Sequence, residues 1–156
     1  MYLDTSVLGA FFDVEDPKRT AVARRFMEEL KNRRVDVFVS PLVLEEITKA
    51  PEGLRDGLTD VVARIEPQVL SETVETMQLA EGYLREKAVP DKFRDDARHI
   101  AVAAFYELDA LVSWNYRHMV NLNVKRLVNA VNLKQGYRPI EILSPEEVIG
   151  YGDVEL

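Results

Sequence analysis

Apolar residues recur in this chain in two rhythms, as short continuous runs and as stripes at helical spacing. Tyr2 and Leu3 form an apolar pair closed by Asp4, and Val7, Leu8, Phe11 and Phe12 follow on one helical face. The pattern predicts a strand to Leu3 or Asp4, then a helix whose start is marked by Asp4, Thr5 and Ser6. Asp16-Pro17 opens a second helix to about Arg33, with Pro at the first helical position. Val35 to Ser40 is β-branched and ends at Pro41, which predicts a strand. Ser40-Pro41 starts a third helix that Pro51 stops, and residues 52–65 form a fourth, ended by Pro67. Ser71, Val74 and Glu75 open a fifth helix to about Lys87. Pro90-Asp91 opens the most regular one, to near Glu107, with Phe93, Ala97, Ile100, Ala101 and Ala104 on one stripe. Ala110 to Trp114 reads as a strand, 116–134 as a helix and Pro139 to Leu143 as a last strand. Ser144-Pro145-Glu146-Glu147 begins a terminal helix.

The strands are short and mostly apolar, which suits a sheet covered on both faces. Long helical connections imply parallel neighbours. The expectation is an α/β fold, a three-layer α/β/α arrangement on a short parallel central sheet. At 156 residues, with 47% apolar types and no repeat or linker, the chain fits one domain over 1–156 and excludes disorder.

Charge changes the picture in two ways. Lys plus Arg is 20 and Asp plus Glu is 27, a net charge of −7, which argues against polyanion binding by bulk positive charge. Yet from Ser113 to Ile140 there are five basic residues, Arg117, Lys125, Arg126, Lys134 and Arg138, and no acid. That segment is either a solvated helix face or a phosphate-contacting strip beside an acidic site. The chain has no Cys, which removes disulfides, thiolate zinc sites and Cys nucleophiles. Two His, at 99 and 118, leave little room for a His-rich metal site. No apolar run reaches the roughly 18 residues of a membrane span, and the opening Met-Tyr-Leu-Asp has no signal-peptide pattern. A cytoplasmic protein away from membranes is expected, with any metal a hard cation on oxygen ligands.

The acids at element ends are the candidate chemistry. Asp4 closes the first strand, and Asn115 stands just past the strand at 110–114. Ligands of open α/β sheets bind outside such carboxyl ends. Glu46 and Asp96 lie on helices that can turn a carboxylate toward the same crevice. Carboxylates without His or Cys partners suit magnesium or manganese, which can activate water against a phosphodiester. Plainer roles stand beside this one. Asp4 can cap the following helix, Asp95 or Asp96 can stabilise the early turns of its own, and Asn115 can be a turn residue.

Four local patterns then resemble one family. Tyr-Leu-Asp-Thr-Ser-Val-Leu at 2–8, Ser-Pro-Leu-Val-Leu-Glu-Glu-Ile at 40–47, Asp-Ala-Arg-His-Ile-Ala-Val-Ala-Ala at 96–104 and Leu-Val-Ser-Trp-Asn at 111–115 are similar to the motifs of PIN-domain proteins of the VapC toxin-like ribonuclease group. The resemblance runs from residue 2 to about 145. It implies an endoribonuclease with Asp4, Glu46 and Asp96 around one or two Mg²⁺ or Mn²⁺ ions. It also implies RNA as substrate, a homodimer and, for a toxin, a small antitoxin partner. The fourth acidic position of the family is Asn115 here, which can supply one oxygen or hold a water but removes a charge. Residues 116–138 look longer and richer in Asn than a compact toxin needs, with Asn121, Asn123, Asn129 and Asn132. They could serve RNA, dimerisation or packing.

Lesser candidates follow from position. Ser6 can bond the Asp4 carboxylate or a bound water, or cap the helix. His99, three residues after Asp96 and with no second His close to it in the sequence, reads as structural. Arg117 and His118, just past the site edge, can touch phosphate or lie in solvent, as can Lys125 and Arg126. Trp114 reads as core or interface, with base stacking the alternative. The rival function is a PIN-like RNA-binding or regulatory scaffold with weak catalysis. An aspartyl-phosphate phosphatase normally needs Asp where Ser6 stands, and a nucleotide-binding enzyme would need a glycine-rich phosphate loop.

Overall fold

The computed structural model describes residues 1–152; the last positions of the expected domain, 153–156, lie outside the described residues. Among the described residues five strands pair, β1 (Tyr2–Leu3), β2 (Phe38–Val39), β3 (Gln68–Val69), β4 (Ala110–Val112) and β5 (Glu141–Leu143). They form one sheet in the order β3-β2-β1-β4-β5, with every pairing parallel. Among the described residues eight α-helices surround it: α1 (Thr5–Gly9), α2 (Pro17–Asn32), α3 (Pro41–Thr48), α4 (Glu52–Ile65), α5 (Val74–Arg85), α6 (Arg94–Phe105), α7 (Leu122–Lys134) and α8 (Pro145–Gly152). The three-layer α/β/α arrangement expected from the pattern is the observed one.

Chirality explains the layers. The steps β1 to β2 and β2 to β3 move one way across the sheet, and β3 to β4 and β4 to β5 move the other way. Right-handed crossovers put the two sets of connecting helices on opposite faces. Accordingly α5 packs on α6 and α7, whereas α1, α3 and α4 pack together and α2 packs on α8. The sheet between them is dry: Tyr2, Leu3, Leu111 and Val112 are fully buried. No helix among the described residues is long and apolar enough to cross a membrane.

Sequence and structure differ in three places. β3 was not expected, because it is two exposed residues at the sheet edge, Gln68 and Val69, behind Pro67. Backbone bonds from Gln68 N to Val37 O (2.9 Å) and Leu70 N to Val39 O (2.8 Å) create it, and these leave no hydrophobic pattern. The strands expected over 35–40, 110–114 and 139–143 are paired over shorter stretches. The helix expected over 116–134 begins only at Leu122. Asn115 O accepts from both Met119 N and Val120 N, which closes a turn. Asn121 then donates through Nδ2 to Tyr116 O and Arg117 O and caps α7 by accepting from Val124 N at 2.9 Å.

Two asparagines of the Asn-rich segment, Asn129 and Asn132, serve packing, whereas Asn123 is exposed. Asn129 pairs with the backbone of Ile140, accepting from its N at 2.8 Å and donating to its O at 3.1 Å. Asn132 is fully buried, donates to Asn129 Oδ1 and accepts from the Tyr83 hydroxyl. This polar bridge ties α5, α7 and the entry to β5.

Candidate active site

The sheet order reverses its direction of travel at β1 and β4, so a crevice opens outside their carboxyl ends. Asp4 follows β1 and Ser113 to Asn115 follow β4, on that edge. Asp4 is only 4% exposed. Its Oδ1 accepts from Ser6 Oγ at 2.5 Å and from Val7 N at 3.4 Å, and its Oδ2 accepts from Ser113 Oγ at 2.6 Å. Asp4 therefore caps α1 and belongs to the crevice at once. Ser6 Oγ also accepts from Trp114 N at 2.9 Å, and Ser113 Oγ from Asn115 N at 3.0 Å. The two serines lace the ends of β1 and β4 around one carboxylate.

Asp96, in the first turn of α6, accepts at Oδ2 from Asn115 Nδ2 at 3.1 Å. Asn115 Oδ1 accepts from His118 N at 3.0 Å. The neighbours Asp95 and Glu45 are exposed, which resolves both adjacent-acid ambiguities in favour of Asp96 and Glu46 as the inward members. Glu46 is half-buried, with Oε1 at 2.6 Å from His99 Nε2. The other ring nitrogen, Nδ1, lies 2.6 Å from the Tyr2 hydroxyl, itself 2.8 Å from Ser40 Oγ. His99 is thus buried between a tyrosine and a carboxylate.

Electrostatics join these groups. Burial pushes the Asp4 carboxyl up, partly offset by His99 and by its serine and backbone donors. Burial, then the charges of Asp4 and Glu46, push Asp96 to about 6 against the pull of His99 and Asn115. For His99 burial works against the charge, but the hydrogen bond to Glu46 and the charges of Asp4, Glu46 and Asp96 outweigh it, so its pKa is raised. The crevice is an acidic cluster with a buried imidazole inside it.

The donor set is carboxylate, hydroxyl and amide oxygen, which is the chemistry of a hard divalent cation. Its spacing is not closed: among the described residues no three His, Cys, Asp or Glu side chains are gathered to enclose a metal ion. Glu46 turns onto His99, so the ring of Asp4, Glu46 and Asp96 expected around an ion is open at Glu46. The oxygens fit the ion by type, and the His99 contact is what holds Glu46.

The basic strip is divided. Lys134 and Arg138 pair with Glu86 (3.3 Å) and Glu107 (3.7 Å). Arg138 and Glu107 precede β5 and β4, at the sheet edge opposite the crevice. Arg117 and Arg126 are exposed, and Lys125 is half-buried near the start of α7. His118 stacks on Phe93 with ring centroids 3.7 Å apart. Partial burial and the nearby Arg117 and Lys92 charges lower its pKa, which leaves it a neutral contact at neutral pH. Sequence reasoning missed Ser113 and Tyr2 and read His99 as structural. The available signals were the alternation that puts Tyr2 and Asp4 on one strand face, and the three-residue step that puts His99 beside Asp96.

No curated protein matches the chain. The family model for the PIN domain matches residues 1–118, a span that includes Asp4, Glu46, Asp96, His99, Ser113 and Asn115. PIN domains are in general nucleases, and those nucleases generally use divalent metals. Matched over well more than half its length, in the order of motifs that builds this crevice, the chain belongs to the PIN domain family.

Proposed function

We propose that this chain is a divalent-metal-dependent endoribonuclease of the VapC toxin-like kind, hydrolysing RNA phosphodiesters with Mg²⁺ or Mn²⁺. The observation that carries the reading is the buried Asp4 carboxylate, held by two serine hydroxyls and electrostatically coupled to Asp96 at the switch point of the sheet. Asp4 and Asp96 would hold the ion, with Glu46 as a further ligand or the group that orients water. A bound divalent ion supplies an acidified water and offsets the charge of the phosphoryl transition state. The chain's own residues do the rest. Ser6 and Ser113 fix the rotamer of Asp4, Asn115 steadies Asp96, and His99 holds Glu46 and offsets carboxylate repulsion. Arg117 and Arg126 offer exposed charge to phosphate, with Lys125 and His118 beside them. Within this reading the setting is the cytoplasm, and the partners are RNA, a second copy of the chain and a small antitoxin.

A scaffold with weak catalysis is the second reading, favoured by Asn115 at the fourth acidic position and by the Glu46–His99 contact. Cleavage of a mixed structured RNA pool separates the two. Cutting that needs Mn²⁺ or Mg²⁺, stops with chelator and is lost in Asp96→Asn is the expected result. No cutting and no metal binding would establish the scaffold.

A further inference from the structure

A second concavity, of about 440 Å³, lies against the same loop as Asn115 and is lined by Asp16, Lys18, Arg19, Trp114, Tyr116 and Glu146. Trp114 and Tyr116 flank Asn115 in the chain, and the backbone N of Trp114 bonds the serine that holds Asp4. This concavity therefore reaches Asp4 through two hydrogen bonds, Trp114 N to Ser6 and Ser6 to Asp4, and adjoins Asn115, which donates to Asp96.

Its walls have unused binding capacity. Trp114 is 7% exposed, and its indole Nε1 is buried with no hydrogen-bond partner among the described residues. The Arg19 guanidinium lies over the Trp114 ring, 4.9 Å from its centroid, and Arg19 Nε is likewise buried and without a partner among the described residues. Tyr116 is 49% exposed and touches only the edge of Trp114, with centroids 6.4 Å apart, so much of its ring faces solvent. Lys18 and Glu146 are exposed, with no hydrogen bond or ion pair among the described residues. Asp16 is engaged in capping α2, accepting from Arg19 N at 3.1 Å. Arg19 is itself paired through Nη1 with Asp13 at 3.5 Å, so the wall offers an aromatic ledge, the exposed Lys18 cation with the Arg19 guanidinium behind it, and the Glu146 carboxylate; together these match a nucleotide, with base on ring, phosphate on Lys18 and base edge on the carboxylate. Guanine is the base that offers adjacent N1–H and N2–H donors to a bidentate carboxylate. The base has to be unpaired to stack, which selects single-stranded RNA.

We propose that the concavity between Tyr116, Arg19 and Glu146 is a guanine subsite that seats one nucleotide of a single-stranded RNA beside the Asp4–Asp96 crevice, a role that rests on the nuclease reading of that crevice. Trp114 is the chain's one tryptophan, so its fluorescence reports on this wall directly.

The test titrates the full chain, in chelator, with short fluorescently end-labelled oligouridine carrying one central G, A or C, reading both Trp114 emission and oligomer anisotropy. The G oligomer should perturb Trp114 and bind about tenfold more tightly than oligouridine, with Tyr116→Ala removing that gain and Tyr116→Phe keeping it. Glu146→Gln should level G with A. Equal binding of all oligomers, no binding, or a G preference unchanged in Tyr116→Ala overturns the subsite. A parallel Mn²⁺ cleavage assay keeps the two ideas apart. Metal-dependent cutting with no G preference sinks the subsite alone, and G binding without any cutting sinks the nuclease reading alone.

Discussion

His99 Nε2 stands 2.6 Å from Glu46 Oε1, in a buried position that also feels the charges of Asp4 and Asp96. One buried imidazole thus faces three carboxylates. Its removal should loosen Glu46 and raise the repulsion between Asp4 and Asp96.

The pH dependence of the metal-free chain follows. Asp96 is raised from 3.8 to about 6, so its folded state favours the neutral acid. That contribution is complete below 3.8 and is lost as pH climbs through about 6. Asp4 shifts in the same sense, and His99, raised above 6.5, loses its contribution as pH rises through its folded value. Thermal melts in chelator should therefore show Tm falling from mildly acid to neutral pH, and Asp96→Asn should flatten the fall near pH 6. A Tm that rises across this interval would contradict the cluster.

Mn²⁺ should reverse that loss. An ion bound only to the folded chain at a hundredfold excess over its Kd contributes about 2.7 kcal/mol, a Tm gain of roughly 5–10 °C for a domain of this size. Asp4→Asn and Asp96→Asn should abolish the gain. An equal gain in either variant would mean that the ion binds elsewhere.

Ser113 bonds Asp4 Oδ2 and the backbone of Asn115, so it acts through both. Ser113→Ala should keep the fold and lower metal affinity or cleavage about 10–100-fold, the usual effect of losing a hydrogen bond that orients a ligand. Isothermal titration with Mn²⁺ and single-turnover cleavage measure this, and unchanged values would make the serine merely structural.

Asn115 donates to Asp96, and an aspartate there cannot. Asn115→Asp should lower the metal-free Tm at neutral pH through carboxylate repulsion, push the Asp96 titration higher and enlarge the Mn²⁺ shift. Melts with and without the ion decide it; a higher metal-free Tm would show that the amide contributes nothing to the cluster.

Asn129 is a stability residue. Asn129→Ala strands the N and O of Ile140 and one amide donor of Asn132, at a cost of roughly 1–3 kcal/mol. Melting temperature should drop by several degrees, while cleavage by the folded protein stays unchanged.

The layers were legible because helical stripes of three or four residues and Pro start signals need no tertiary information. Pro17, Pro41 and Pro145 each stand at the first position of their helices. The ends were less legible. Arg34, Glu66, Lys87 and Glu107 follow helices with positive φ, where glycine would have been the readable stop. Of the candidate site, Asp4, Glu46, Asp96 and Asn115 could be named from position and resemblance, whereas Ser113, Tyr2 and the role of His99 could not.

What the sequence determined by itself is the alternation of strands and helices and the placement of acids at their ends, since local patterning carries both. What only the tertiary structure decided is which of those acids meet, what balances them and which strands join. Parallel pairing brings Tyr2 beside Leu111 across more than a hundred residues, and with it Asp4 to Ser113. Glu46 and His99 meet from separate helices. Such contacts arise from right-handed crossovers and shared burial, which couple distant residues through space and leave no period in the chain.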